Sequence, residues 1–270
     1  VYHWGSSTKL VTATALMQLV ERGLVDLHTP ISTYLPYFPD RFGITVQHLL
    51  THTNGLPESP NVIQYISMND AEQLDPADIA RSYVASLTSL NFEPGAEIQY
   101  GNYPFLLLGE IIHEVSGMPY VDYVRQHVLQ PLNMARTDFV YNPAMLTNAA
   151  QASDSLNQED AMREILGNDL FQSLIDRSEN GITWFNPVNV LPPWGGLHGP
   201  VSEQLNFLLM HANGGEWNGI RILQPETVAQ MQELQVGTDT AGFGLAWRLN
   251  AILGRKAVGH QGGGPGISME

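Results

Sequence analysis

The sequence predicts an α+β protein in which helices occupy the beginning and middle of the chain and strands gather near its end. Strongly apolar helical patterns begin at Ser6 and at Pro104, and short alternating segments follow Gly242. At 270 residues, 43% of them hydrophobic, the chain can bury a substantial core as one large domain or two small ones. The apolar stretch over residues 10–20 is interrupted by polar residues and is shorter than the ~20 residues that cross a bilayer, so no membrane segment is expected.

The composition restricts the class of function. The formal charge is -15, from 27 acidic and 12 basic residues, and no basic stripe is available to neutralise phosphates, so a nucleic-acid partner is not expected. The absence of cysteine excludes a disulfide framework and a thiolate metal site and fits an oxidising or a reducing compartment. The bases are ten arginines and only two lysines, Lys9 and Lys256.

The first helix is predicted from Ser6 to the residue before Gly23. Hydroxyl residues stand at its start, and Gly23 is a typical C′ terminator. Nearly every face of this helix is apolar or small, which predicts burial on several sides. Residues 30–60 then carry many prolines and glycines and are predicted as loops and short helices, with one apolar piece at 46–50.

Three more helices are predicted before residue 130. Asp75 is a suitable N-cap for a helix over residues 76–90. Pro104 suits the first turn of a strongly apolar helix that Gly117 closes, and another helix follows over residues 119–129.

The last 130 residues begin with a polar, weakly periodic segment over 142–193, which is predicted as an insertion of loops and short helices. Helices are predicted over 202–212 and 225–234. The segments 242–250 and 256–260 show the shorter alternation of strands.

Ser6 and Lys9 form a candidate catalytic pair. Three residues apart at the start of a buried helix, their side chains project on one face, so the amine can reach the hydroxyl. Burial and the positive helix end both lower a lysine pKa from ~10.4, which would let the amine take the serine proton. With two lysines and 15 serines, roughly 0.11 such S-x-x-K pairs are expected by chance. The alternative is that Ser6 caps the helix and Lys9 is a solvated charge.

A second candidate constellation is Tyr100-Gly101-Asn102, in the loop before the helix that Pro104 opens. Side chains in such a loop can point into a cleft, and a phenol near a buried cation can ionise and act as a base. The alternative is a tyrosine packed at the start of the helix, with Asn102 as the cap.

The third constellation is His260-Gln261-Gly262-Gly263-Gly264, at the end of a predicted strand. Its glycines would let a substrate approach the backbone closely, and exposed N–H groups there could donate to an oxyanion. The alternative is a histidine at a strand end followed by a flexible turn.

Taken together, these motifs stand in the order of a known family: S-x-x-K, then Y-x-N about ninety residues later, then a strand-borne basic residue two positions before glycine. The chain resembles the serine β-lactamase and penicillin-binding-protein superfamily, and within it class C β-lactamases, β-lactamase-like carboxylesterases and D-alanyl or D-amino-acid peptidases. Further segments in the family's order are Gly5-Ser-Ser-Thr-Lys, Leu49-Leu-Thr-His-Thr-Asn-Gly-Leu-Pro, Leu108-Gly-Glu-Ile-Ile and Gly195-Gly-Leu.

The resemblance implies a role for each matching residue. Ser6 is the expected nucleophile, and Lys9 and Tyr100 are expected to share the proton transfers. Asn102 would bind the acyl side of the substrate. The backbone N–H groups of Ser6 and Gly263 would form the oxyanion hole.

Two departures from the β-lactamase pattern concern the third motif, where His260 and Gly262 are expected to contact the substrate. His260 stands where those enzymes usually carry lysine, and Gln261 where they usually carry threonine. Because histidine titrates near ~6.5, a permanent positive charge is missing at neutral pH. We therefore expect a serine hydrolase that forms an acyl-enzyme with an ester or peptide-like amide. Hydrolysis of β-lactams and a non-catalytic, ligand-binding role are the alternatives.

The resemblance also implies a fold in which an antiparallel sheet flanked by helices packs against an all-helical domain, with the site between them. The helical subdomain would span roughly 45–190, and the α/β subdomain roughly 1–44 and 191–270. Because strands of the family's sheet lie beyond both ends of this sequence, we expect an incomplete sheet and poor stability of the isolated chain. A periplasmic or extracellular location is favoured by resemblance only.

No cofactor or metal is expected. His48 and His52 stand four apart, but no glutamate follows His48 in the zinc-protease pattern, and a structural role is favoured. Glu110 and Glu114 share a helix face and are predicted to be its solvated side. The partner would be a small-molecule or peptide substrate, and the oligomeric state stays open.

Overall fold

The computed structural model describes residues 1–58, 66–67, 75–150, 152–154, 159–178, 181–184, 188–189, 191–238, 240–264 and 267–269. Its α-helices, in chain order, are α1 Thr8–Glu21, α2 Val46–Leu50, α3 Pro76–Ser86, α4 Tyr103–Ser116, α5 Tyr120–Val124, α6 Pro143–Thr147, α7 Glu159–Leu166, α8 Asn168–Leu174, α9 Pro192–Gly195, α10 Val201–Ala212 and α11 Pro225–Gln232. In the part of the chain described, none of them is long and apolar enough to cross a membrane.

The strands are short. In chain order they are β1 Tyr2–His3, β2 Ile66–Ser67, β3 Ala152–Asp154, β4 Ile175–Ser178, β5 Gly181–Trp184, β6 Val188–Asn189, β7 His198–Gly199, β8 Glu216–Trp217, β9 Ile220–Arg221, β10 Val236–Thr238, β11 Ala241–Phe243, β12 Arg248–Ile252, β13 Arg255–Gly259, β14 Gly262–Gly264 and β15 Ile267–Met269.

The central helix is α1, which contacts α4, α5 and α9. All its side chains over residues 8–17 are buried, because apolar and small residues cover every face. The helix ends as the sequence predicts, since Gly23 follows it in the left-handed conformation at φ +70°. A core helix of this kind gives the residues at its first turn a rigid, water-poor setting.

The strands near the chain end form antiparallel sheets, as expected for the predicted α+β class, which is confirmed. β10, β11, β12 and β13 pair in that order, with Leu249 opposite Val258. β14 and β15 pair with each other, and β1 pairs with β7 through Tyr2 and Gly199. The last pairing joins the start of the chain to the segment just after α9.

The segment over 142–193 contains more than the predicted loops and short helices. β3, β5 and β4 form a three-stranded antiparallel sheet in that order. Phe171 and Trp184 pack edge to face in a small core of their own, with ring centroids 5.9 Å apart. Strands of three or four residues are too short for an alternating pattern to stand out in the sequence. The proposed division of the chain into two subdomains stays a prediction.

Two glutamates of α4 differ in their surroundings, although both were predicted to be solvated. Glu114 is exposed, but Glu110 is only 5% exposed, and its Oε2 has no hydrogen-bond partner in the described part of the chain. The prediction is wrong for Glu110 because α1, α2, α3, α5 and α9 all contact α4 and cover most of its surface. Burial raises the pKa of Glu110 to about 7.

Candidate active site

Ser6 lies in a single 3₁₀ turn, Gly5–Ser7, that leads directly into α1. Gly5 adopts φ +51°, and a Cβ atom there would lie 2.6 Å from the carbonyl oxygen of Gly263. A Cβ atom on Gly262 would likewise collide with the carbonyl oxygen of Trp4. Only glycine fits these positions, so β14 lies directly against the turn that carries Ser6. Ser7 Oγ ties the two together by donating to the carbonyl of His260 at 3.1 Å.

Lys9 is completely buried, and its amine is surrounded by oxygen atoms. Nζ donates to Ser6 Oγ at 3.1 Å, to Asn102 Oδ1 at 2.7 Å and to the carbonyl oxygen of Trp194 at 2.9 Å. The solvated lysine of the alternative interpretation is therefore not observed. Ser7, and not Ser6, occupies the N-cap position of α1, and it makes no side-chain capping bond.

The surroundings of Lys9 disfavour its charged form. Burial lowers the pKa of the amine from its ordinary value, and the guanidinium of Arg248 acts in the same direction. Tyr100 and Glu58 oppose this shift by raising the pKa of Lys9, and the net direction is downward. A buried lysine with a lowered pKa can accept a proton from a neighbouring hydroxyl.

Tyr100 is half-buried among four side chains. Its ring centroid lies 5.1 Å from Lys9 Nζ and 5.2 Å from Cζ of Arg248. The ring of His52 is 4.5 Å away and that of His260 is 5.8 Å away, both as centroid distances. The phenol thus lies between two basic side chains and two imidazoles, and the structure brings it next to the Ser6 and Lys9 pair.

Asn102 occupies the N-cap position of α4, but its side chain makes no capping hydrogen bond. Its Oδ1 accepts from Lys9, and its backbone N–H donates to Oε2 of Glu58 at 2.9 Å. The interpretation of Asn102 as a simple helix cap is therefore not supported. The side chain instead connects the loop of Tyr100 to the amine of Lys9.

Glu58 is a site residue that the sequence analysis missed. Burial raises its pKa, whereas the hydrogen bonds from Asn102 and the charge of Lys9 lower it. The sequence does show that this acid directly follows the Leu49–Pro57 motif. However, no rule of sequence spacing predicts that this position lies near Lys9. Arg248 was missed for the same reason, because only the folding of β12 beside β13 brings it near Tyr100.

His260 lies at the end of β13, as predicted, but it does not titrate near 6.5 as expected. Burial, followed by the charge of Lys9, lowers its pKa to about 3. Its Nδ1 lies 2.6 Å from the carbonyl oxygen of Gln261, which makes Nδ1 the donor and leaves the proton there. The ring is therefore uncharged at neutral pH.

His48 and His52, whose spacing suggested a metal site, make other interactions in the structure. His48 Nδ1 accepts from the backbone N–H of Thr45 in a capping box at the start of α2. His52 is buried against the rings of Tyr100 and Phe105. Among the residues that the structure describes, no group of three or more histidines, aspartates and glutamates is arranged to hold a metal ion.

The chain is similar to known proteins over nearly its whole length. The model of the family described as Beta-lactamase matches residues 1–269. A protein of Salmonella typhimurium (strain LT2), provisionally named D-alanyl-D-alanine carboxypeptidase, is 28% identical over 267 residues, which cover 93% of this chain and 59% of that protein.

Two solved structures have a similar fold. The octameric penicillin-binding protein homologue from Pyrococcus abyssi has a TM-score of 0.70 at 27% identity, covering 97% of this chain and 56% of its own. The D-stereospecific amidohydrolase from Streptomyces sp. has a TM-score of 0.74 at 23% identity, covering 99% of this chain and 76% of its own. This chain therefore spans less than two thirds of the Salmonella and Pyrococcus proteins.

Proposed function

Since this chain belongs to the β-lactamase family, we propose that it is a serine hydrolase that cleaves an ester or a peptide-like amide through an acyl-enzyme on Ser6. One observation carries the proposal: the buried amine of Lys9, with its lowered pKa, lies 3.1 Å from Ser6 Oγ. A hydroxyl becomes an effective nucleophile when a base at that distance accepts its proton.

The reaction begins when Ser6 Oγ forms a bond to the substrate carbonyl carbon. The serine proton passes to the neutral amine of Lys9, and the hydroxyl of Tyr100 is assigned a share in the proton transfers. The N–H groups of Ser6 and Gly263 stabilise the oxyanion, and β14 lies against the Ser6 turn in a position suited to this role. When the bond to the leaving group breaks, that group takes the proton, and water then hydrolyses the serine ester.

Asn102 and Glu58 support this proton transfer. Asn102 Oδ1 holds the amine of Lys9 at 2.7 Å, and Glu58 holds the backbone of Asn102. We assign to Asn102 a contact with the acyl side of the substrate as well, and to His260 and Gly262 contacts on the opposite side of the carbonyl. The uncharged ring of His260 offers no permanent charge to a carboxylate. Neutral esters and amides need no such charge, and an anionic substrate would depend on Arg248 instead.

A carboxypeptidase-type substrate is a more specific candidate, supported by Arg248. Its Nη1 lies 3.4 Å from Oε1 of Gln261, one residue from His260. Guanidinium groups bind carboxylates well, so a peptide with a free C-terminal carboxylate could be held there. The name of the Salmonella relative agrees with this substrate class.

Covalent labelling of Ser6 tests the proposal. A fluorophosphonate probe should modify wild type and the exposed-serine control Ser173→Ala, and should not modify Ser6→Ala. The second pair uses the only two lysines: Lys9→Ala should lower the labelling rate by about 10³-fold, whereas Lys256→Ala should leave it unchanged. Labelling of Ser6→Ala, or equal rates in the two lysine variants, would overturn the proposal.

A substrate panel separates the hydrolase classes. p-Nitrophenyl esters, D-alanyl peptides and nitrocefin should be assayed with wild type and with Arg248→Gln. We expect turnover of esters or peptides that exceeds turnover of nitrocefin. If Arg248 binds a carboxylate, the substitution should raise KM for the peptide and leave KM for a neutral ester within about threefold.

A further inference from the structure

His52 is a buried histidine to which the proposed mechanism gives no part. It follows the C-terminal residue of α2 by two positions and has φ +59°, a left-handed conformation that costs a non-glycine residue about 1–2 kcal/mol. Its side chain is fully buried, and its Nε2 has no hydrogen-bond partner among the residues that the structure describes. A strained, buried polar residue persists only where the surrounding structure holds it in place, and such residues concentrate at functional sites.

Two hydrogen bonds connect His52 to the residues on either side of Tyr100. The carbonyl oxygen of His52 accepts from the backbone N–H of Gln99 at 2.8 Å. Its Nδ1 accepts from the backbone N–H of Gly101 at 3.3 Å. The backbone of His52 and its side chain therefore hold the loop at both neighbours of Tyr100.

The accepting role of Nδ1 fixes the ring as the neutral tautomer with its proton on Nε2. Burial holds the pKa of His52 well below its usual range, and Lys9, His260 and Arg248 act in the same direction whenever they carry a positive charge. Protonation would replace the Gly101 contact by a repulsion between two donors. Nδ1 of His52 is therefore a hydrogen-bond acceptor at neutral pH, where the uncharged ring has no additional proton to deliver.

The imidazole also packs on the rings that border the amine of Lys9. Its centroid lies 4.5 Å from that of Tyr100 and 5.4 Å from that of Phe105, and Phe243 closes the other side at 5.0 Å. Lys9 Nζ lies 5.1 Å and 5.5 Å from the Tyr100 and Phe105 centroids. Lys9 and His52 thus contact the same two rings, and displacement of the imidazole would release the phenol.

We infer that His52 is a positioning residue: its Nδ1 acceptor and its backbone carbonyl fix the loop at Gln99 and Gly101 and so set the distance between the Tyr100 phenol and the amine of Lys9. The inference rests on the proposed acyl-transfer function for its catalytic consequence, but the positioning is measurable without turnover. The other charged or titratable groups around the amine are Glu58, Arg248 and His260. None of them holds the residues that flank Tyr100 in the described structure.

Two substitutions separate the acceptor from the ring. His52→Asn keeps an acceptor oxygen near the place of Nδ1 and tolerates the left-handed backbone, whereas His52→Phe keeps a ring and removes the acceptor. Because Tyr100 raises the pKa of Lys9, release of the phenol should lower that pKa further. His52→Phe should therefore shift the titration of Lys9 to lower pH, and His52→Asn should leave it as in wild type.

The chain offers a direct measurement, because it contains only two lysines. In protein labelled with [13Cε]lysine, NMR resolves two signals, and Lys256→Arg assigns them. The Lys9 midpoint should fall by about half a pH unit or more in His52→Phe, and the Lys256 chemical shift should be the same in all three proteins. An unchanged Lys9 midpoint in His52→Phe, with both variants folded, overturns the inference.

The labelling rate of Ser6 supplies the catalytic readout. His52→Phe should react about 10- to 100-fold more slowly with the fluorophosphonate, and the acidic limb of its pH profile should move to lower pH. His52→Asn should recover the wild-type profile even if its Tm is lower. Equal losses in both variants, with wild-type pH profiles, would indicate a purely structural role and contradict the inference. If wild type itself is not labelled, the proposed function fails, while the Lys9 titration still decides the positioning.

Discussion

The amine of Lys9 is held by a hydroxyl, a side-chain amide and a backbone carbonyl, all within 3.1 Å. This geometry suits an ammonium group, which has three protons to donate, while the burial of the site favours the neutral amine. The two tendencies oppose each other. The protonation state of Lys9 is consequently sensitive to single charges nearby, and the carboxylate of Glu58 acts on it by raising the pKa of the amine.

Replacement of Glu58 by glutamine tests this sensitivity. Glutamine can still accept from the backbone N–H of Asn102, but the negative charge that raises the pKa of Lys9 is lost. The acidic limb of the profile of kcat/KM against pH should therefore move to lower pH. The exposed Glu97→Gln is the matched control, and its profile should equal that of wild type. A limb that stays in place, or moves to higher pH, would contradict the assigned role.

At the scale of elements, the approach of β14 to the Ser6 turn depends on the absence of side chains. The Gly5 and Gly262 positions both face backbone atoms at distances that no Cβ atom can occupy. Packing of this kind is rigid, because backbone atoms cannot rotate out of the way as the end of a side chain can.

Gly262→Ala should therefore displace β14 from the turn and lower kcat/KM by about 10²-fold, since a misplacement near 1 Å can have an effect of that size. Gly259→Ala, three residues earlier at the end of β13, is the control, because a methyl group added there would have no atom within 4 Å. Measurement of kcat/KM for both variants tests the effect on activity, and measurement of Tm shows whether the variants remain folded. Equal activities would mean that β14 does not need this close contact.

Helix α4 carries a second testable feature, the buried carboxyl of Glu110. Its pKa is raised from 4.5 in the unfolded chain to about 7 in the folded protein. The folded state therefore retains the proton between these values while the unfolded state has lost it. The free energy of unfolding should fall as pH rises through this window, by about 3 kcal/mol, since one pKa unit corresponds to about 1.4 kcal/mol.

Glu110→Gln should remove this fall, so that its stability relative to wild type increases between pH 5 and pH 7.5. Glu114→Gln on the same helix carries an exposed group and should keep the wild-type dependence. Urea denaturation at four or five pH values measures the difference. A constant offset between Glu110→Gln and wild type would show that the carboxyl does not titrate in this range.

At the scale of the whole molecule, the net charge of -15 opposes the approach of anionic substrates, although Arg248 attracts them locally. For an anionic peptide, kcat/KM should rise about twofold between 10 and 150 mM salt, as the overall repulsion is screened. For a neutral ester it should not change. A decrease for the anionic peptide would mean that the field of Arg248 dominates.

The resemblance found in the motifs and the α+β class are both confirmed. The S-x-x-K, Y-x-N and H-x-G segments indicated the family because they occur together in its order, although each is weak alone. The structure brings Ser6, Lys9, Tyr100 and Asn102 together, and it places His260 beside the Tyr100 ring. The catalytic roles themselves stay predictions.

Other features were not accessible from the sequence. Glu58, Arg248 and His52 each contact residues that lie 40 or more positions away in the sequence. No rule of sequence spacing predicts such contacts. The burial of Glu110 depends on how many helices cover α4. The charge state of His260 follows from desolvation, which a motif does not reveal.

The carbonyl of Trp194 gives the lysine site a property that concerns mutation. Three oxygen atoms accept hydrogen bonds from Lys9. Those of Ser6 and Asn102 belong to side chains that a substitution can remove, but the oxygen of residue 194 belongs to the main chain. Random mutagenesis with selection for lost activity should therefore recover many different substitutions at Ser6 and Asn102. At position 194 the oxygen atom remains whichever side chain is present. Substitutions recovered there should act by deforming α9 or by disturbing the core around the buried Trp194 side chain, and not by removing a hydrogen-bond acceptor of Lys9.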